Sequence, residues 1–161
     1  MFRRHAERET CIKCPVLLRS DADASGIVVF YTPTVHTNIR ITNCVIHDIG
    51  LATRNPSNGS FGINSGPVNG LEVDHNTVYN IAQADPANGA AVGILTWGNT
   101  PTQTAENINI HDNTVYDVHG PATWGIAVGY ESKSAVANNN YVHHVDDIGM
   151  SSSRYDENAV A

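Results

Sequence analysis

The 161-residue chain sets nine Lys and Arg against sixteen Asp and Glu, a formal net charge of -7, with 41% hydrophobic and 16% charged residues. That balance fits one globular domain and excludes a basic nucleic-acid-binding face, since no Lys or Arg falls between Arg54 and Lys133. No apolar run approaches the roughly 18 residues of a membrane span.

The chain opens MFRRHAERETCIKCPVLL, where charges interrupt any apolar stretch of a secretory signal and only residues 2 to 10 carry a helical period. Residues 1 to 24 are therefore assigned to an N-terminal capping segment and 25 to 161 to the main domain. With three cysteines at most one internal disulfide can form. The single C-x-x-C of Cys11 and Cys14 lacks the second half of a four-ligand zinc site.

From residue 26 two kinds of segment alternate. One is led by glycine: GIVVFY at 26, GINSGP at 62, GILTWG at 93, GIAVGY at 125 and GMSSSR at 149. The other is a twelve-residue copy: IRITNCVIHDIG from 39, LEVDHNTVYNIA from 71, INIHDNTVYDVH from 108 and AVANNNYVHHVD from 135.

In every copy the first and third residues are apolar and their alternating partners are mostly polar, the period of a half-buried strand. The sixth position reads Cys44, Asn76, Asn113 and Asn140, and a second apolar beat follows at Ile46/Ile49, Val78/Ile81, Val115/Val118 and Val142/Val145. Asn between two strands predicts a turn, because Asn tolerates left-handed backbone.

One period is thus a glycine-led strand, a loop, a second strand, an Asn turn and a short third strand. Such a coil cannot bury its inward residues alone, whereas stacked coils pair their strands in parallel and close a narrow core. Asn76, Asn113 and Asn140, recurring at one turn, are expected to form a structural ladder that satisfies buried polar groups along the axis. The fold class is all-β, a right-handed parallel β-helix of about four to five coils.

By strand parity with glycine outward, Val28/Phe30, Asn64, Leu95/Trp97, Ala127 and Ser151 face outward as well. Phe61, Val92, Trp124 and Ile148, just before each glycine, are then expected in the core. At the ninth repeat position, His47, Tyr79, Tyr116 and His143 predict a stack of flat side chains on neighbouring strands. The final ENAVA repeats the start of the previous strand, which predicts a chain stopping in mid-coil and self-association through an uncapped coil.

These repeats resemble the right-handed parallel β-helix of the pectin-lyase-like superfamily, over roughly 25 to 161. The resemblance implies a secreted or cell-surface protein that binds or degrades polysaccharide, or a non-catalytic solenoid such as an adhesin or tail-fibre segment. Two catalytic readings follow from it. In HHVDDIGMSSSR, His144, Asp146 and Asp147 resemble the acid pair of polygalacturonase-type hydrolases, in which one carboxyl protonates the leaving group and another activates water. The Asn-Thr-Asp, Gly-His-Gly and Arg-Ile-Lys motifs of those enzymes are missing, and Asn113-Thr114 runs on to Val115.

Lys133 and Arg154, about one coil apart, are similar to the base and its assistant in alginate and dermatan lyases. There Ca2+ neutralises the uronate carboxylate so that the neighbouring proton can leave; here Glu131 is the candidate metal ligand and Tyr155 follows the Arg where those lyases carry His. Trp97, Tyr130 and Phe30 are the candidate substrate platforms, since aromatic rings stack on sugars. The expected partner is an acidic polysaccharide.

Overall fold

The computed structural model describes residues 24–30, 35–50, 59–83 and 89–152. The capping segment before Ala24, Cys11, Cys14, Arg154 and the final ENAVA lie outside the described residues.

The first coil comprises β1 (Ala24–Val29), β2 (His36–Thr42) and β3 (Val45–Ile49). The second comprises β4 (Ser60–Ser65), β5 (Val68–Asp74) and β6 (Thr77–Ala82), and the third β7 (Ala91–Thr96), β8 (Ala105–His111) and β9 (Thr114–His119). β10 (Thr123–Val128), β11 (Ser132–Asn138) and β12 (Tyr141–Val145) make the fourth, and β13 (Ile148–Ser152) opens the next.

Every third strand pairs in parallel, giving a first sheet in the order β1-β4-β7-β10-β13, a second of β2-β5-β8-β11 and a third of β3-β6-β9-β12. This is the right-handed parallel β-helix that the repeat predicts, with each copy placed so that its apolar beats meet those of the next coil.

The core is built from aligned rows. Ile27, Ile63, Ile94, Ile126 and Met150 pair down the first sheet. Leu71, Ile108 and Ala135 and then Val73, Ile110 and Ala137 line the second, while Val78 and Val115 with Ile81 and Val118 line the third. Most of these residues are fully buried. β-Branched side chains suit both jobs, fitting the pleat and filling a narrow interior without flexible ends.

The glycines correct the parity expected for the first sheet. A Cβ on Gly62 would overlap Val78 Cγ1 and the Gly93 carbonyl oxygen; on Gly93 it would overlap Val115 Cγ1 and the Gly125 oxygen. Glycine therefore faces the core, pressed against the third sheet and the next coil. Because the following Ile is also inward, two successive residues point in and the alternation breaks. Phe61, Val92, Trp124 and Ile148 then form a row in register on the side away from the glycines, in which Val92 is buried as expected while Phe61 and Trp124 are half-buried. Ile148 is 38% exposed, and Phe61, Trp124 and Ile148 stand outside the buried core.

The Asn turn is also redistributed. The left-handed residue is the one before the sixth position: Asn43, His75, Asp112 and Asn139 all have φ between 51° and 55°. Two further left-handed rows recur, Asp48, Asn80, Asp117 and His144 in one, and Asn38, Gly70, Asn107 and Ser134 in the other. Short polar side chains and glycine occupy most of these places because they tolerate that conformation.

Freed from the turn, the sixth residue points inward and ladders as expected. Asn76 Nδ2 donates to Asn113 Oδ1 at 2.9 Å, and Asn113 Nδ2 to Asn140 Oδ1 at 2.9 Å. Each side-chain oxygen also accepts the backbone N–H one coil back: Asn76 Oδ1 accepts from Cys44 N–H at 2.9 Å and Asn113 Oδ1 from Asn76 N–H at 3.0 Å. On the outside of the third sheet His47, Tyr79, Tyr116 and His143 stack with ring centroids 4.9, 5.0 and 5.1 Å apart, near the ~4.8 Å strand spacing.

Candidate functional site

The outer face of the second sheet carries rows of polar side chains set by strand register. Thr37, Asn69, Glu106 and Lys133 form one row, Arg40, Glu72, Asn109 and Val136 the next, and Thr42, Asp74, His111 and Asn138 a third. Between the first two rows runs the left-handed line of Asn38, Gly70, Asn107 and Ser134. Gly70 has no side chain, and around it opens a depression of about 430 Å³ lined by Asn38, Arg40, Gly70, Glu72, Asn107 and Asn109 among others.

One rim of that depression is an ion-pair network. Asp74, only 1% exposed, accepts Arg40 Nε at 2.8 Å, Arg40 Nη2 at 2.8 Å and Thr42 Oγ1 at 2.9 Å. His75 Nδ1 lies 2.8 Å from the same carboxylate. The Arg40 guanidinium, reinforced by His75 and Thr42, holds Asp74 well below the usual carboxylate range despite burial. Glu72 is looser, 3.5 Å from Arg40 Nε and 3.5 Å from His111 Nε2, with 41% of its side chain exposed. Asp112, 2.8 Å from His111 Nδ1, and then Glu72 raise the His111 pKa above its ordinary value.

A depressed carboxylate pKa stabilises the fold fully above the unfolded value of about 3.9 and stops doing so as pH falls through the lower folded value. The raised His111 works in the opposite sense, contributing below about 6.5 and fading as pH rises through its folded pKa. Asp74→Asn is therefore expected to flatten the loss of thermal stability between neutral pH and about pH 2. An acid limb as steep as that of the unsubstituted protein would remove Asp74 from this role.

Glu72, Asp74 and His111 bring ligand-type atoms within 4.8 Å of one another, the donor set for a cation. Arg40 already supplies positive charge there, with both its bonds to Asp74 made.

The residues singled out from the sequence are distributed around the coil rather than gathered. Asp146 and Asp147 stand at the corner between β12 and β13, where the third sheet passes into the first. Asp146 lies 3.0 Å from His119 Nδ1 and accepts the Gly120 N–H at 3.1 Å, and these partners hold it below the usual carboxylate range. The Asp147 backbone N–H donates to Thr123 Oγ1 at 2.8 Å. His144, largely exposed, lies 2.9 Å from His143 and 3.6 Å from Asp117.

Lys133 sits at the other corner, at the start of the second sheet, 3.9 Å from Glu106. The six-residue β10 runs between the two corners, so the lysine and the Asp pair are roughly 20 Å apart along the strand. Glu131 occupies the turn before β11 with φ 53°, its carbonyl accepting the Ala105 N–H at 3.1 Å.

Phe30, Trp97 and Tyr130 all follow the ends of first-sheet strands, at the corner where that sheet turns into the second. Phe30 is 72% exposed and Tyr130 46%. Trp97 is half-buried, its Nε1 donating to Asn64 Oδ1 at 2.9 Å. Trp97 and Tyr130 belong to neighbouring coils, with the Gly98 N–H bonded to the Tyr130 carbonyl at 2.6 Å.

Sequence reading passed over Arg40, Glu72, Asp74 and His111. The signal was in the same copies: their second positions read Arg, Glu, Asn, Val and their fourth Thr, Asp, His, Asn, opposite charges one coil apart on an outward face. Comparison with protein-family models, with curated proteins and with solved structures finds no match.

Proposed function

We propose that this chain is a polysaccharide-binding β-helix of the pectin-lyase-like kind, secreted or displayed on a cell surface, and that the glycan lies against the outer face of the second sheet. The observation that carries the reading is the depression around Gly70, bordered by Asn38, Asn107, Asn109, Arg40 and Glu72 on a repetitive, open face. Amides and carboxylates in rows offer both donors and acceptors to successive hydroxyls of an extended chain. Trp97 and Tyr130, at the corner of the same sheet, add faces on which a sugar ring can stack.

Binding is put ahead of cutting because none of the described catalytic candidates, His144, Asp146, Asp147 and Lys133, lines the depression. His119 and the Gly120 N–H hold Asp146 below the usual carboxylate range, and Lys133 stands beside Glu106.

The test is retardation in gels containing soluble polysaccharides, comparing the protein with Gly70→Asn. Asn occupies the equivalent left-handed positions 38 and 107, so this variant is expected to fold while filling the depression. Retardation should weaken about tenfold. Binding that survives the filled depression unchanged would place the glycan elsewhere, and a lack of retardation by any polysaccharide would end the reading. Reducing ends or ultraviolet-absorbing unsaturated product in the same mixtures would restore hydrolysis or elimination.

A further inference from the structure

Within the polysaccharide reading, on which this inference rests, we infer that the depression around Gly70 selects a neutral sugar, recognised through its hydroxyls by the Glu72 carboxylate and the neighbouring amides, and turns uronates away. This departs from the acidic partner that the sequence resemblance implies.

The reason is local charge. Among the described residues Arg40 is the single guanidinium at the rim, and Asp74 engages it through both oxygens. What remains facing the depression is Glu72, and outside its lining Asp112 pairs with His111. Among the described residues there, one guanidinium meets three carboxylates, Glu72, Asp74 and Asp112. The Lys133 and Glu106 pair, one row away, adds no net charge. A uronate carboxylate brought there would meet an acidic surface, on a chain whose overall charge is already -7.

A sugar hydroxyl meets the opposite situation. Glu72 is 41% exposed and its ion pairs are long, at 3.5 Å each, so its oxygens can accept further hydrogen bonds. Asn38, Asn107 and Asn109 are exposed along the same rim, and the Asn107 amide, which donates to Asn69 Oδ1 at 2.9 Å, keeps its own oxygen available. Gly70, which bears no side chain, lines the depression of about 430 Å³ between them.

The experiment compares a neutral polysaccharide such as a mixed-linkage glucan or galactomannan with polygalacturonate and alginate, by gel retardation and by calorimetry, at about pH 8 and again at about pH 9. Arms with EDTA and with Ca2+ are run in parallel. The neutral polymer should bind and the uronates should not, in either arm. Glu72→Gln should weaken neutral binding about tenfold or more, since hydrogen bonds to a charged acceptor are lost, while Asn109→Ala gives a smaller loss without touching the ion pairs. Thermal unfolding of both variants separates a lost contact from a lost fold.

Tighter binding of a uronate, with or without Ca2+, would overturn the inference and leave the polysaccharide reading standing. Neutral binding untouched by both Glu72→Gln and Asn109→Ala would overturn it as well. If no polymer of either class binds, the polysaccharide reading itself fails.

Discussion

Asn113→Ala is expected to destabilise the fold by about 3 kcal/mol, a large share of the roughly 5 to 15 kcal/mol available to a domain. Asn113 is 1% exposed and stands in the middle of the ladder. Its amide donates to Val73 O, His111 O and Asn140 Oδ1, and its oxygen accepts both the backbone N–H and the side-chain amide of Asn76. Alanine leaves the buried Asn76 N–H without that acceptor and Val73 O without that donor, with no room to readmit water cheaply. Urea unfolding measures the loss, with Asn109→Ala on the exposed face as a control expected within about 0.5 kcal/mol. An Asn113→Ala variant within about 1 kcal/mol of the parent would mean that the ladder decorates the fold and does not hold it.

The second large effect concerns the inward glycines. Gly93→Ala is expected to cost about 3 kcal/mol, at the upper end for overpacking a filled interior. The added methyl overlaps Val115 Cγ1 and the Gly125 carbonyl, and a backbone carbonyl in a paired strand cannot step aside. Trp124→Ala, one residue before the equivalent glycine, should cost only about 1 kcal/mol, because Trp124 lies on the outward row; a core Trp would cost about 3 to 5. Denaturant midpoints of the two variants decide the parity of the first sheet. A severe Trp124→Ala beside a mild Gly93→Ala would restore the arrangement with glycine outside.

Both predictions concern features that the sequence revealed unevenly. The coils were legible because apolar residues at Leu71/Val73 and Val78/Ile81 return in register as Ile108/Ile110 and Val115/Val118, and a repeat that matches itself has few ways to stack. The ladder and the aromatic stack were legible for the same reason. Parity in the first sheet was not, because strict alternation assumes an unbroken strand, and the glycine at position 62, 93 or 125 inserts a second inward residue that only packing against Val78, Val115 or Val142 reveals.

The left-handed turn was misplaced by one residue for a related reason. Asn can either turn the chain or bond inward, and Asn139-Asn140 contains both roles side by side.

The candidate site was the least legible. Residue types drew the eye to Asp146-Asp147 and Lys133, where chemistry-bearing side chains cluster in sequence, yet a coil separates such neighbours by the length of a strand. Arg40, Glu72 and His111 are 32 and 39 residues apart in the chain and adjacent in space, joined only by register. In a solenoid, a site runs across the copies rather than along any one of them.

The most direct test of the central claim is a backbone-amide footprint by NMR on the protein titrated with a soluble neutral oligosaccharide. The shifts are expected to concentrate on 38–40, 69–72 and 107–109, with weaker changes at Trp97 and Tyr130. Shifts gathered instead around His119, Asp146 and Asp147, or no shifts at saturating sugar, would contradict it.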